Sequence, residues 1–186
     1  MKIIILAAGQ GTRLKPYTND RPKCMVELHG KPLLHHQLRV MSELGIQSKD
    51  IALVGGYLQD ALIAPGVKQY TNSRYAETNM VSTLFCAEEF MQLEEDLIIA
   101  YGDIVYEPKV LDNLMQTQGD IVLTADTDWY KLWSLRMESP LDDAETFKMD
   151  DAGNVIELGK VPTSLSDVQA QYMGLIKVSA QKVQEF

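Results

Sequence analysis

Cysteine is scarce in this chain of 186 residues, which holds only Cys24 and Cys86 and no C-x-x-C pair. This count excludes a disulfide framework and a cysteine-rich metal motif, and it suggests a reducing compartment. No stretch approaches the roughly 20 apolar residues that a transmembrane helix needs. Met1 leads directly into a strand pattern, which predicts no signal peptide. The sequence therefore predicts a cytoplasmic protein that crosses no membrane.

Positive charge is also in short supply, since 17 Lys and Arg face 26 Asp and Glu, for a net charge of −9. This balance argues against a nucleic-acid or anionic-membrane surface, so any phosphate ligand must be held by local cations. Repeats, low-complexity tracts and linkers are missing as well. With 46% hydrophobic residues, the length suits one domain over residues 1–186.

What the sequence does contain is an apolar run, residues 3–6, followed by a turn built from small residues. Ala7, Ala8, Gly9 and Gly11 carry almost no side chain there, so a ligand could lie against bare backbone N–H groups. Fixed positive charges follow at 13, 15 and 23, a pattern typical of polyphosphate binding. An ordinary tight turn with surface cations is the alternative. The G-K-[ST] ending of a P-loop and the third glycine of a dinucleotide fingerprint are both missing.

The whole string, L-A-A-G-Q-G-T-R-L at 6–14 with P-K at 22–23, resembles the signature of nucleotidyltransferases that activate sugar phosphates and phosphocholine. The likeness continues through residues 28–34 and is closest to the phosphocholine cytidylyltransferase branch. It implies that a phosphate or phosphonate oxygen attacks the α-phosphorus of a nucleoside triphosphate and releases pyrophosphate. The partners so implied are a nucleoside triphosphate and a small phosphorylated or phosphonate acceptor, with self-association left open.

Apolar strand patterns alternate with helix patterns along the chain, which predicts a doubly wound, mostly parallel α/β sheet, Rossmann-like and of GT-A type. Predicted strands cover 2–6, 51–54, 67–70, 97–100, 121–125 and 172–178. Predicted helices begin at Pro32 and end by Gly45, run from Met80 to Met91 with residue 78 or 79 as cap, and run from Pro108 to about 118. Residues 147–158 predict a small β-hairpin lid.

The resemblance also assigns residues to roles. Arg13 and Lys23 would be the catalytic cations against the phosphates. The nucleotide-binding set comprises Leu6, Ala7, Ala8, Gly9, Gly11, Thr12, Lys15, Gly56, Tyr75, Asn79 and Ser82. For Asn79 and Ser82 a role as helix cap and first-turn residue stays equally open, and Lys15 could be a plain surface cation.

Asp103 follows a buried strand and a glycine, where a carboxylate is well placed to bind Mg²⁺ that bridges phosphate oxygens. A loop aspartate or helix cap is the alternative. The D-x-D string at 126–128 is discounted as a metal motif because the family's metal position is already filled. The resemblance further implies a second metal-binding aspartate in a continuation beyond Phe186, and Glu157 is weighed as a substitute without being favoured.

Both tryptophans fall in a span that is rich in carboxylates. Aromatic faces beside carboxylates suit a cationic head group such as choline, ethanolamine or an aminoalkyl phosphonate. Packing of the rings beneath the hairpin is the alternative. The candidate acceptor-binding residues are Asp126, Trp129, Trp133, Arg136, Glu145, Lys160 and Tyr172.

Three hypotheses for the function follow. The first is a Mg²⁺-dependent cytidylyltransferase that joins CTP to phosphocholine or a similar aminoalkyl phosphate or phosphonate. The second is the same chemistry with a sugar 1-phosphate and UTP or dTTP. The scarcity of residues near Trp133 that could bind sugar hydroxyls argues against this second hypothesis. The third is a catalytically silent nucleotide-binding domain, which only the missing C-terminal aspartate supports.

Overall fold

A computed structural model describes residues 1–91 and 94–185. It divides the chain into two compact units, the first comprising Met1–Val122 with Gly174–Phe186 and the second comprising Leu123–Met173. Each unit has a hydrophobic core of its own. The predicted single domain over residues 1–186 thus contains two units along the chain.

The strands of the described residues are, in chain order, β1 (Lys2–Ala7), β2 (Glu27–Leu28), β3 (Lys31–Pro32), β4 (Ile51–Gly55), β5 (Lys68–Thr71), β6 (Leu97–Tyr101), β7 (Ile121–Asp126), β8 (Phe147–Met149), β9 (Val155–Leu158) and β10 (Gln171–Val178). The α-helices are α1 (Leu33–Glu43), α2 (Met80–Phe85), α3 (Pro108–Gln116), α4 (Trp129–Ser134) and α5 (Ala180–Val183). Within the described ranges no helix is both long and apolar enough to span a bilayer.

The main sheet has the strand order β5-β4-β1-β6-β10-β7. β1 pairs in parallel with β4 on one side and β6 on the other, β4 pairs in parallel with β5, and β10 runs antiparallel to β6. Ile3, Ile4 and Ile5 of β1 are fully buried, as a central parallel strand covered on both faces requires. The strand directions confirm the predicted mostly parallel sheet.

The side chains of β1 alternate between two hydrophobic clusters of the first unit. Ile3 and Ile5 belong to the cluster that includes α1 and α3 residues, whereas Ile4 belongs to the cluster that includes Leu84 of α2 and Val183 of α5. Because successive strand residues point to opposite faces, helices cover both faces of the sheet. This arrangement is the doubly wound architecture that the sequence predicts.

Local signals set the ends of α1. Gly45 adopts a φ of 81° and donates to Ser42 O at 3.0 Å, while Ile46 N–H donates to Met41 O at 3.0 Å. These two bonds form a Schellman motif, which satisfies carbonyl groups at the helix end. At the other end, Pro32 is the cap and the last residue of β3, so α1 begins at Leu33, one position later than predicted. The short β2–β3 hairpin had no clear signal in the sequence.

α2 is shorter than the predicted helix over Met80–Met91. It ends at Phe85 and is followed by a separate 3₁₀ turn at Glu88–Phe90. Asn79 rather than residue 78 is its cap, since the Asn79 side chain accepts from the N–H of Ser82. The apolar spacing of this segment fits one long helix as well as two short turns, so it does not decide where α2 ends.

The second unit contains the predicted β8–β9 hairpin, an antiparallel pair with a register shift between Lys148 and Met149. Asp150 closes its turn, because its carboxylate accepts from the N–H groups of Ala152 and Asn154 at 3.0 and 2.8 Å. The core of this unit is built on Trp129, Ala144 and Val168. The hairpin prediction is therefore confirmed.

Candidate active site

A cavity of about 560 Å³ in the first unit lies beyond the carboxyl ends of β1 and β6. This edge is where open parallel sheets place their ligands. Eleven predicted site residues line it: Leu6, Ala7, Ala8, Gly9, Gly11, Thr12, Arg13, Lys23, Tyr75, Asn79 and Asp103. The predicted phosphate loop, the two catalytic candidates and the predicted metal ligand thus share one cavity.

Gly11 gives the loop its shape. Its φ of 62° lies in the left-handed region, and a Cβ there would come within 2.8 Å of Lys23 Cβ and 3.2 Å of Thr18 Cγ2. Thr18 is fully buried and donates its hydroxyl proton to Gly11 O at 3.0 Å. A glycine is required at position 11 by both conformation and space, and its smallness lets Lys23 approach the turn.

Lys23 forms an ion pair with Asp103, Nζ to Oδ2. Both side chains are only about one-third exposed, at 32% and 27%. Gly102, which precedes Asp103, donates its N–H to Leu6 O at 2.8 Å, and a Cβ at Gly102 would lie 2.9 Å from that same oxygen. The carboxylate is therefore held against the small-residue loop by tight backbone packing and by a cation that is also a site candidate.

Asp103 is the one carboxylate among the residues that line this cavity. Across the described ranges, no group of three or more His, Cys, Asp or Glu side chains is arranged to hold a metal ion. A single carboxylate fits Mg²⁺, which keeps several waters and is held in nucleotide sites by one or two carboxylates together with substrate phosphates. The donor set suits a metal that arrives with a polyphosphate and does not suit a permanent protein-only metal cage.

Three predicted nucleotide-binding residues are not part of the cavity lining, namely Lys15, Gly56 and Ser82. A Cβ at Gly56 would lie 2.8 Å from Tyr75 Cβ and 3.0 Å from Ala8 Cβ, so this glycine allows two lining segments to pack closely. Ser82 donates its backbone N–H to Asn79 Oδ1 at 3.1 Å, the helix-cap role that the sequence left open. Lys15 is exposed.

Six residues line the cavity without having been predicted: Cys24, Thr78, Met80, Thr83, Tyr101 and Gly102. Their positions beside predicted site residues were a signal for most of them, because Thr78 and Met80 flank Asn79, and Tyr101-Gly102 precedes Asp103. Thr83 lies one turn into α2, and its spacing from Asn79 places it on the same helix face. Burial raises the pKa of the Cys24 thiol to about 12, so this cysteine is a packed hydrophobe and not a nucleophile.

In the second unit the two tryptophans have different environments. Trp129 is 3% exposed and donates its indole N–H to Val168 O at 3.2 Å, which makes it a core residue. Trp133 packs beside it, with ring centroids 5.5 Å apart at 89°, but is only partly buried. The guanidinium of Arg136 lies 5.0 Å from the Trp133 ring centroid. The packing alternative therefore holds for Trp129, and one face of Trp133 is covered by a cation of the protein itself.

The other acceptor candidates also belong to the second unit. Asp126 accepts from the N–H of Asp128 at 2.9 Å, so the D-x-D string forms a local turn at the end of β7. Lys160 is 70% exposed and pairs with Glu157 at 2.6 Å. Glu145 is exposed and Tyr172 is half-buried. The acceptor role of these residues stays a prediction.

Comparison with known proteins assigns the chain to a family. Residues 3–153 match the family model of the MobA-like NTP transferase domain. A CTP:phosphoglutamine cytidylyltransferase of Campylobacter jejuni is 44% identical over 194 residues, covering 100% of this chain and 76% of that protein. A choline-phosphate cytidylyltransferase of Streptococcus pneumoniae is 31% identical over 139 residues, covering 72% of this chain and 59% of that protein.

Solved structures agree at the level of the fold. An inositol-1-phosphate CTP transferase of T. maritima superposes with a TM-score of 0.72 over 98% of this chain and 72% of its own length, at 18% sequence identity. The resemblance inferred from the signature and the predicted Rossmann-like fold are both confirmed by these matches.

Proposed function

Because the chain belongs to the family of MobA-like NTP transferase domains, we propose that it transfers the cytidylyl group of CTP to the phosphate of a small amine-bearing acceptor. The observation that carries this proposal is the single cavity that joins the small-residue loop, Arg13, Lys23 and Asp103. An acceptor phosphate oxygen would form a bond to the α-phosphorus of CTP. The bond from that phosphorus to the bridging β-phosphate oxygen would break, and pyrophosphate would leave.

Alignment and charge neutralisation are the main tasks left to the protein in such a transfer. Gly9 and Gly11 leave the loop backbone open to the triphosphate, and the planar guanidinium of Arg13 matches pairs of phosphate oxygens. Lys23 lines the same cavity and would neutralise negative charge near the reacting phosphorus. Its ion pair with Asp103 keeps both side chains in place before the nucleotide enters.

Asp103 is the residue that would hold Mg²⁺ in this proposal, with the remaining positions filled by phosphate oxygens and water. When bound, the metal would neutralise phosphate charge and polarise the phosphoryl group under attack. Lys23, the ion-pair partner of Asp103, lines the same cavity and would be placed to bind a phosphate oxygen of the nucleotide. A cytoplasmic location and self-association stay predictions.

The proposed acceptor class rests on the acceptors of two relatives and on Arg136. Phosphoglutamine and choline phosphate, the acceptors named for the two curated relatives, each combine a phosphate with a cationic nitrogen. Phosphoglutamine adds an α-carboxylate, and Arg136 on the face of Trp133 presents a guanidinium that suits such an anion. We therefore propose a phosphorylated amino acid of the phosphoglutamine type as the preferred acceptor, ahead of phosphocholine.

Pyrophosphate release tests the proposal directly. The protein is incubated with CTP, UTP, dTTP or ATP, each with phosphoglutamine, phosphocholine, 2-aminoethylphosphonate or glucose 1-phosphate, in Mg²⁺ and in EDTA. We expect release with CTP and phosphoglutamine, loss of it in EDTA, and a sharp fall for Arg13→Ala with every acceptor. Release only with glucose 1-phosphate and UTP or dTTP would transfer the protein to the sugar branch, and CTP binding without any turnover would favour the silent-domain hypothesis.

A further inference from the structure

Gln37 is a polar residue on the buried face of α1. The buried residues of this helix are Leu34, Gln37, Val40 and Met41, and Gln37 is only 1% exposed. The other three are apolar and belong to one hydrophobic cluster of the first unit. An amide group at such a core position costs free energy unless its polar atoms find partners.

One half of the Gln37 amide has such a partner. Its Nε2 donates to the backbone carbonyl oxygen of Tyr101 at 2.9 Å, and because a carbonyl oxygen only accepts, this contact fixes the orientation of the amide. The Oε1 atom must face away, and among the described residues it is buried without a hydrogen-bond partner. The side chain thus keeps an unpaired acceptor in the core at a cost in stability, and the contact it contributes is the bond to the end of β6.

The peptide unit between Tyr101 and Gly102 is held at both of its polar groups. Its carbonyl accepts from Gln37 of α1, and its N–H donates to Leu6 O of β1 at 2.8 Å. A peptide unit is a rigid plane, so bonds at both ends fix its rotation, whereas a bond at one end alone lets it turn. Asp103 is the next residue along the chain. The orientation of this plane therefore sets the direction in which the Asp103 backbone leaves the sheet.

The same helix also anchors the ion-pair partner of Asp103. Leu33, the first residue of α1, donates its N–H to Val26 O at 3.0 Å, and Cys24 packs in the hydrophobic cluster that includes the buried face of α1. These contacts hold the segment that begins at Lys23, whose Nζ pairs with the Asp103 carboxylate. α1 thus contacts the segments of both charged residues, and Gln37 supplies the contact on the carboxylate side.

We propose that Gln37 is a positioning residue for Asp103: its bond to the Tyr101 carbonyl holds the Asp103 carboxylate in place for Mg²⁺ that arrives with the nucleotide. This inference rests on the proposed function, in which Asp103 holds the metal. Removing a group that orients a metal ligand typically lowers metal affinity about 10- to 100-fold. Gln37 acts through the backbone and not on the carboxylate itself, so we expect a smaller effect of about three- to tenfold.

Calorimetric titration with CTP, in Mg²⁺ and in EDTA, measures this effect without turnover. The ratio of the dissociation constant in EDTA to that in Mg²⁺ is the metal enhancement of CTP binding. Gln37→Met keeps the length of the side chain and removes the donor, so it should lower the metal enhancement about three- to tenfold and leave the affinity in EDTA unchanged. Because it also removes the unpaired Oε1, the melting temperature should stay near that of wild type. Met41→Leu, a core substitution one turn further along α1, is the matched control and should leave the metal enhancement unchanged.

A double-mutant cycle tests whether Gln37 acts through Asp103. Asp103→Asn should lower the metal enhancement strongly, and adding Gln37→Met to it should lower the enhancement no further, because two residues that act through one group are not additive. Should Gln37→Met fail to fold, Gln37→Asn replaces it in both measurements. Its amide is one methylene too short to reach Tyr101 O from the same backbone position, so the same loss is expected.

A purely structural role of Gln37 predicts a different pattern, in which Gln37→Met lowers the melting temperature or weakens CTP equally in Mg²⁺ and EDTA. The metal enhancement would then stay constant. That result, or an additive loss in the double variant, overturns the inference and leaves the proposed function in place. A metal enhancement that is absent from wild type, or retained in full by Asp103→Asn, would instead refute the metal role of Asp103 in the proposed function, and the inference with it.

Discussion

Gly9→Ala is the substitution that tests the backbone cradle most directly. A Cβ at Gly9 would have nothing within 4 Å, and the φ of this residue lies outside the left-handed region. The free protein should therefore accept alanine without strain, and its free energy of unfolding should stay equal or rise by about 0.4–1 kcal/mol, because alanine restricts the unfolded chain. The added methyl group would instead occupy cavity space next to the loop backbone.

The expected effect on the nucleotide is large. A phosphate that contacts the loop amides makes charge-assisted hydrogen bonds, each contributing about 1.5–3 kcal/mol. A methyl group that holds the phosphate away from one such amide forfeits that contribution. We expect CTP affinity to fall about 10- to 100-fold, with 1.4 kcal/mol corresponding to about a factor of ten.

Calorimetric titration with CTP in Mg²⁺ and thermal unfolding of the same sample measure both quantities. Gln10→Ala is the matched control, because Gln10 is the exposed neighbour that does not line the cavity. It should change neither affinity nor melting temperature. A Gly9→Ala protein that is folded and binds CTP as tightly as wild type would contradict the proposal that the backbone amides of this loop bind the triphosphate.

Three further predictions concern single side chains. In the folded protein Cys24 should resist thiol reagents at about pH 8 and react after denaturation, since burial raises its pKa to about 12; labelling of the native protein would contradict this. The hydrogen bond from Lys2 lowers the pKa of Asp50, so this pair stabilises the folded protein above the unfolded pKa of 3.8, and the stabilisation is lost as the pH falls through the folded pKa. Asp50→Asn should therefore destabilise the protein by about 1 kcal/mol near neutral pH and by much less in acid, as urea titrations would measure. Trp129→Ala should lower the free energy of unfolding by about 3–5 kcal/mol. Trp133→Ala should stay folded and weaken only the affinity for the acceptor, as measured by calorimetry. If Trp133→Ala weakened CTP binding as much as acceptor binding, the acceptor role would be contradicted.

Local sequence patterns predicted most elements of the fold. The apolar run of β1, the glycine after α1 and the Asp150 turn of the hairpin each depend on residues that are neighbours in the chain. The errors occurred where local signals conflict with packing, as at α2, which ends at Phe85 although apolar spacing continues. The signature likewise predicted the small-residue loop that lines the cavity, because its residues are consecutive.

The sequence by itself determined the family resemblance, the order of the six main-sheet strands and of α1 to α3, and the loop whose small residues leave the backbone open. Only the tertiary structure decided that Lys23 pairs with Asp103, that Trp129 is a core residue, and that Asn72 donates its side-chain amide protons to two threonine hydroxyls. The physical reason is the distance along the chain between the partners. Conformational preferences act between near neighbours, whereas an ion pair or a hydrogen-bond direction exists only once packing has brought distant groups together.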